Sequence, residues 1–238
     1  FAHRRGRVKD GDTGDVACDH YRRWQEDVAL MRGLGLNAYR FSVAWNRVYP
    51  EAGRPNPAGL AFYDRLVDAL LAAGIEPWVT LFHWETPAWL EHAGGFASIG
   101  SVGHFARFAE TVARKLGDRV RRWITVNEPL VYASWGYVVG EYAPGRRWDL
   151  RGMFHASHHL LAAHNRAAAA LRAHGSGAKV GIAHHLRWMD PADPARPGDR
   201  ASAAFMDAVA NRFHGDPYYF GAYPAGVLAR ARRFLPRG

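Results

Sequence analysis

Cysteine is almost missing from this 238-residue chain. Cys18 stands alone, which excludes an internal disulfide and a multi-cysteine zinc site and makes a reducing, cytoplasmic setting the default expectation. Lysine is nearly as scarce: of the 31 basic residues only Lys9, Lys115 and Lys179 are lysines. The arginines are spread along the chain, with short clusters at 119 to 122, at Arg146-Arg147 and at 230 to 233, so the net charge of +9 reads as arginine-biased composition. No nucleic-acid partner is expected from it. No stretch approaches 18 consecutive apolar residues, and the opening FAHRRGRVKDGDTGD lacks the apolar run of a signal peptide, so neither a membrane span nor a membrane partner is expected. What the chain does have is 48% hydrophobic residues, enough for a sizeable core, and nine Trp, ten Tyr and twelve Phe. Such ring faces suit sugars and bases alike.

No low-complexity linker divides the sequence, which reads as one unit. Four β-rich runs stand out: 37 to 45 (NAYRFSVAW), 75 to 82 (IEPWVTLF), 121 to 127 (RRWITVN) and 178 to 185 (AKVGIAHH). Between the first two, Leu60, Tyr63, Leu66, Val67, Leu70 and Leu71 recur at helical spacing up to Gly74. Between the next two, Phe105, Phe108, Val112 and Leu116 do the same, and a helix near 152 to 174 precedes the last strand. Strand and helix in alternation predict right-handed βαβ units and a parallel sheet covered on both faces. A doubly wound sheet and an eight-stranded (β/α) barrel both begin so, but the glycine fingerprint for dinucleotides is absent, which favours the barrel.

Chemistry-bearing residues then fall at the strand ends, where a barrel keeps its site. Glu128, between Asn127 and the strand-stopping Pro129, is placed to be an acid or base, or else the ion-pair partner of a nearby Arg. His83 beside Trp84 offers a polar ring and a flat face, the combination that grips a pyranose, or else is a hydrogen-bonded histidine under a loop. Arg40, between Tyr39 and Phe41, must either find a carboxylate or line a wet site. The run FHASHHLLAAH places His155 and His159 at i, i+4, yet without HExxH the reading is core or surface histidine rather than metal. His184 and His185 alternate on a strand, so at most one faces the interior.

The succession DGDTGDVACDHYRRWQEDVALMRGLGLNAYRFSVAWNRVYP, GIEPWVTLFHWETPAWL, ITVNEP and GYVVGEYAPG, with NRFHGDPYYFGAYP later, resembles glycoside hydrolase family 1 nearly end to end. This is the β-glucosidase and β-galactosidase family of retaining enzymes on a (β/α)8 TIM barrel. The resemblance implies Glu128 as general acid/base, Asn127 as binder of the hydroxyl next to the anomeric carbon, His83 and Trp84 as lining of the sugar subsite, and Arg40 as the residue that orients the nucleophile. It implies a β-glucoside or related saccharide as substrate and neither metal nor organic cofactor.

The departures are as informative. The family's first strand with its sugar-binding Gln, its sixth-strand Asn/Tyr pair and its nucleophilic Glu-Asn-Gly segment do not occur in residues 1 to 238, residue 1 is Phe, and Leu130 stands where many members carry Trp. The expectation is a single incomplete barrel domain over 1 to 238, truncated at both ends, with about strands 2 to 5 and their helices. Such a piece would lack the nucleophile, and the nearest loop carboxylates, Glu85 and Glu141, are weak substitutes. It would be inactive alone and prone to self-association through open sheet edges. The alternatives are an inactive carbohydrate-binding remnant, or a metal-dependent hydrolase using the histidines.

Overall fold

The computed structural model describes residues 1–175, 177–232 and 234. Four parallel strands, β1 (Ala38–Ser42), β2 (Glu76–Phe82), β3 (Arg122–Asn127) and β4 (Lys179–Ala183), form one sheet in chain order. The long helices are α1 (His20–Gly33) before β1, α3 (Pro57–Ala72) and α5 (Gly100–Leu116) after β1 and β2, and α7 (Leu150–His174) between β3 and β4. Short ones, α2 (Trp45–Val48), α4 (Ala88–His92) and α6 (Pro129–Ser134), lie in the loops that follow β1, β2 and β3. Beyond β4 come α8 (Pro197–Asp207), a π-helical stretch Ala208–Arg212, α9 (Phe213–Phe220) and α10 (Ala225–Ala231).

Local chemistry sets these boundaries. The Asn56 side chain accepts from the Ala58 N–H at the start of α3, Pro57 supplies a first-turn φ, and Gly74 takes the positive φ (75°) that ends the turn. Asp149 caps α7 by accepting from Gly152 N–H at 2.7 Å. Phe105, Phe108, Val112 and Leu116 are wholly buried, as their spacing predicts, but on α3 the buried stripe is narrower than expected because Leu71 is 41% exposed.

Among the described residues the sheet is covered by helices on one face only. Tyr39, Phe41 and Thr125 share one face and meet helices: Tyr39 with His20 of α1, Phe41 with Tyr63 of α3, and Thr125 with His164 of α7. The register puts Arg40 opposite Trp78 and Trp78 opposite Arg122 on the other face, where Arg40 and Trp78 are exposed. A doubly wound sheet buries both faces under helices, whereas a barrel reserves the second for its interior, so one-sided coverage is the barrel arrangement. The main core lies between the helices and the covered face. Trp45 anchors it, stacked on Phe108 (5.2 Å, 13°) and edge-on to Phe105, while Phe82 meets Phe96 and Tyr132 edge-on.

Two strand ends differ from the sequence reading. Strand β1 stops at Ser42 because Trp45 opens α2 and buries its ring in the aromatic core. Strand β4 stops at Ala183, so His184 and His185 lie beyond it. Its last rung is Glu128 N–H to Ala183 C=O at 2.7 Å, after which the chain that follows β3 turns into α6 at Pro129.

The histidine run belongs to packing. His159 is buried and bonds the Phe96 carbonyl at 2.8 Å, and His158 bonds the Tyr223 hydroxyl at 3.1 Å. Among the described residues no group of three or more His, Cys, Asp or Glu is arranged to hold a metal ion, and no helix is long and apolar enough to cross a membrane.

Candidate active site

Strands β1, β2 and β3 each deliver a polar residue to the site. Arg40 comes from β1, and its guanidinium is held from two sides: Nε donates to Thr80 Oγ1 of β2 at 3.0 Å and Nη2 donates to Asn127 Oδ1 of β3 at 2.5 Å. Thr80 is fully buried, so this hydrogen bond fixes the Arg40 stem against the sheet. Among the described residues Arg40 enters no ion pair, and the alternative of a structural salt bridge is not met. Its charge is held towards the interior without a carboxylate partner among the described residues.

Asn127 reaches this face through a break in the ladder. Ile124 pairs with Gly181, but Asn127 pairs with Ala183, so three steps on β3 match two on β4. An extra residue reverses the in–out alternation, which turns Asn127 to the side of Arg40 and Thr80. Glu128 follows in a left-handed conformation (φ 45°, ψ 64°), a strained state for a residue with a Cβ. Trp84, just past the end of β2, is also left-handed (φ 80°) and donates its Nε1–H to the Asn127 carbonyl at 2.9 Å. Two strained residues and one bridging hydrogen bond thus join the ends of β2 and β3.

Glu128 is paired with no arginine among the described residues; the neighbour of its Oε1 is His185 Nδ1, at 3.7 Å. His83 is exposed, its ring edge-on to Trp84 at 5.4 Å. Partial burial and the Arg40 charge push the His83 imidazole below its usual range, while Glu128 pulls it up, so all three side chains share one field. A cavity of about 370 Å³ opens beside β1, lined among others by Arg40, Ser42, Thr80 and His83, a size suited to a small ligand.

Sequence reasoning did not single out Thr80, Trp135 or Tyr142, and it left open which of His184 and His185 faces the interior; here it is His185 that faces Glu128. Tyr142 lies between two indoles, stacked on Trp84 (5.5 Å, 28°) and on Trp135 (5.3 Å, 24°), and closes one side of the strand-end cluster. Register alone locates Thr80, since pairing Ser42 with Thr80 places it next to Arg40. The Trp135–Tyr142 contact depends on loop geometry that no spacing rule supplies.

Comparison with known proteins gives this arrangement a context. The curated β-glucosidase A of Thermotoga maritima is 44% identical over 99% of this chain, and thermostable β-glucosidase B of Thermobispora bispora is 49% identical over 96%. The chain spans about half the length of these relatives, 53% and 46% respectively. The solved family 1 β-glucosidase from Thermotoga maritima superposes with a TM-score of 0.95 at 44% identity, covering 100% of this chain and 53% of that one. The four strands and their helices are therefore part of a TIM barrel. The model of glycosyl hydrolase family 1 matches residues 1–235, and the chain belongs to that family.

Proposed function

We propose that residues 1–238 carry the acid/base half of a retaining β-glycosidase acting on terminal β-linked sugars, and that the attacking carboxylate comes from strands outside this sequence. The observation that carries the reading is Arg40: a guanidinium held inward by Thr80 and Asn127, with no anionic partner among the described residues. No Glu-Asn-Gly segment occurs in the sequence to supply one. Structures of the Thermotoga maritima relative hold castanospermine and deoxynojirimycin, which supports a saccharide-shaped ligand here.

Retention requires two carboxyl groups roughly 5 to 5.5 Å apart. In this scheme the Glu128 carboxyl gives its proton to the glycosidic oxygen as the bond from that oxygen to the anomeric carbon breaks, and the second carboxylate takes the carbon. Glu128, now a carboxylate, then removes a proton from the water that releases the sugar. Arg40 keeps the nucleophile ionised and oriented. The Asn127 oxygen is occupied by Arg40, which leaves its amide N–H groups to donate to the hydroxyl beside the anomeric carbon. His83 and Trp84 line the sugar subsite. The chemistry calls for no metal or organic cofactor.

The test compares the 238-residue chain with the same chain joined to the C-terminal half of the Thermotoga maritima relative, on an aryl β-glucoside. The chain alone should give no turnover above background, while the joined protein should be active and lose poor-leaving-group substrates on Glu128→Gln. Turnover by the chain alone that vanishes in Glu128→Gln would overturn the placement of the nucleophile elsewhere. A joined protein indifferent to Glu128→Gln would overturn the acid role.

A further inference from the structure

His184 and His185, beyond the end of β4, part company. His184 packs its ring edge-on against Tyr218 at 5.3 Å, away from the site, while His185 directs Nδ1 at Glu128 Oε1 across 3.7 Å. The second nitrogen of His185 is occupied, because Arg187 Nε donates to His185 Nε2 at 2.9 Å. An arginine has donors only, so Nε2 is the acceptor and the ring proton sits on Nδ1, the atom that faces Glu128.

Arg187 is itself anchored. Its backbone N–H donates to Asn211 Oδ1 at 2.9 Å and its carbonyl accepts from Asn211 Nδ2 at 2.7 Å. The same Nδ2 also donates to Asp207 Oδ1 at 2.7 Å. A line of hydrogen bonds thus runs from the π-helical stretch through Arg187 to His185, whose Nδ1 faces the carboxyl of Glu128 across 3.7 Å. None of these residues is needed to build the sheet: β4 ends before them, and Arg187 is exposed.

We propose that His185, held in its Nδ1–H tautomer by Arg187, is a positioning residue for Glu128. It engages Oε1 as a donor, so that the proton Glu128 delivers is carried on Oε2 and aimed at the leaving oxygen. The contact at 3.7 Å is longer than a hydrogen bond, and such contacts commonly tighten when substrate fills the site. The catalytic part of this inference rests on the glycosidase reading; the tautomer does not, and the two are tested separately.

Nitrogen-15 NMR of the histidine side chains in the 238-residue chain reads the tautomer directly. His185 should carry its proton on Nδ1, and Arg187→Leu should move it towards Nε2. An Nε2–H form in the unaltered chain overturns the proposal. For the catalytic part, His185→Leu in the joined protein should lower kcat/KM about tenfold more for an alkyl β-glucoside than for a dinitrophenyl one, whose departure needs no proton. His185→Asn, whose amide N–H falls at the place of Nδ1, should restore the alkyl rate, and His185→Gln should not. Equal losses on both glucosides mean a structural role and overturn the positioning role. If Glu128→Gln itself shows no dependence on the leaving group, the glycosidase reading fails and the positioning role with it, while the NMR result still decides the tautomer.

Discussion

Arg40 and Asn127 stand 87 positions apart and meet across β2 through a hydrogen bond of 2.5 Å, with Thr80 of the intervening strand taking the other side of the guanidinium. Three consecutive strands are therefore tied at their site ends by one side chain. A parallel sheet has no such cross-tie in its backbone pattern, and the Arg40 bridge keeps the positions of Asn127 and Glu128 in step with β1 and β2.

The bridge makes a measurable demand on Thr80. Replacing it with Val keeps the shape of a fully buried side chain but removes the acceptor for Arg40 Nε. Thr80→Val should cost about 1–2 kcal/mol, the range for one hydrogen bond to a charged group discounted for the exposure of Arg40. Urea unfolding of the two proteins measures this, and an unchanged midpoint would show that Thr80 does not hold Arg40.

The helical spacing predicts a contrast on α3 and α5. Phe105 is wholly buried among Trp45, Phe82 and Phe96, so Phe105→Ala should lose about 3–5 kcal/mol. Leu71, at the edge of the α3 stripe and 41% exposed, should lose within about 0.5 kcal/mol of nothing on truncation to Ala. Denaturant midpoints of the pair test whether the core follows the stripe as the structure draws it.

Much of this was legible in the sequence, and the remainder fails for identifiable reasons. The four strands show as apolar β-rich runs, and α5 as a stripe from Phe105 to Leu116, because burial on one side forces period and composition together. Trp45 was assigned to a strand because an apolar run does not announce a four-residue helix with no capping side chain. The end of β4 depends on where the chain after β3 leaves the sheet and turns into α6, so no local rule finds it. Arg40, His83, Trp84, Asn127 and Glu128 stand out as polar or aromatic residues at strand ends. His185 was visible as a type, but its tautomer requires Arg187 and its target requires the register between β3 and β4.

Two histidines, His214 buried and His164 half-buried, give stability a pH dependence with a fixed sign. Burial pushes His164 from its ordinary 6.5 down to about 4 and His214 down to about 3. Below pH ~6.5 the unfolded chain takes up protons at both sites while the folded chain does not, so stability falls as the pH drops, until each folded-state pKa is reached. By pH 5 the loss should be about 2 kcal/mol for His214, whose Nε2 is engaged with Ser157 Oγ, with a further contribution from His164. Unfolding midpoints at pH 7 and pH 5 should differ in the native protein and differ less in His214→Gln. Parallel pH dependence in both proteins would sink this account.

Backbone strain at Glu128 separates what the residue costs from what it does. Its φ of 45° and ψ of 64° lie where a Cβ crowds the following carbonyl, at about 1 kcal/mol or more, and glycine occupies the same conformation freely. Glu128→Gly and Glu128→Ala both delete the carboxyl and its approach to His185, but only glycine relieves the strain. The glycine variant should therefore be more stable than the alanine variant by about 1 kcal/mol, and at least as stable as the native chain. Thermal or urea unfolding of all three proteins makes the comparison, and equal stability of the two variants would mean that no strain is stored there. The expected order places Glu128 among residues kept against the preference of the backbone, which fits a carboxyl held at the mouth of the barrel for its chemistry rather than for the fold.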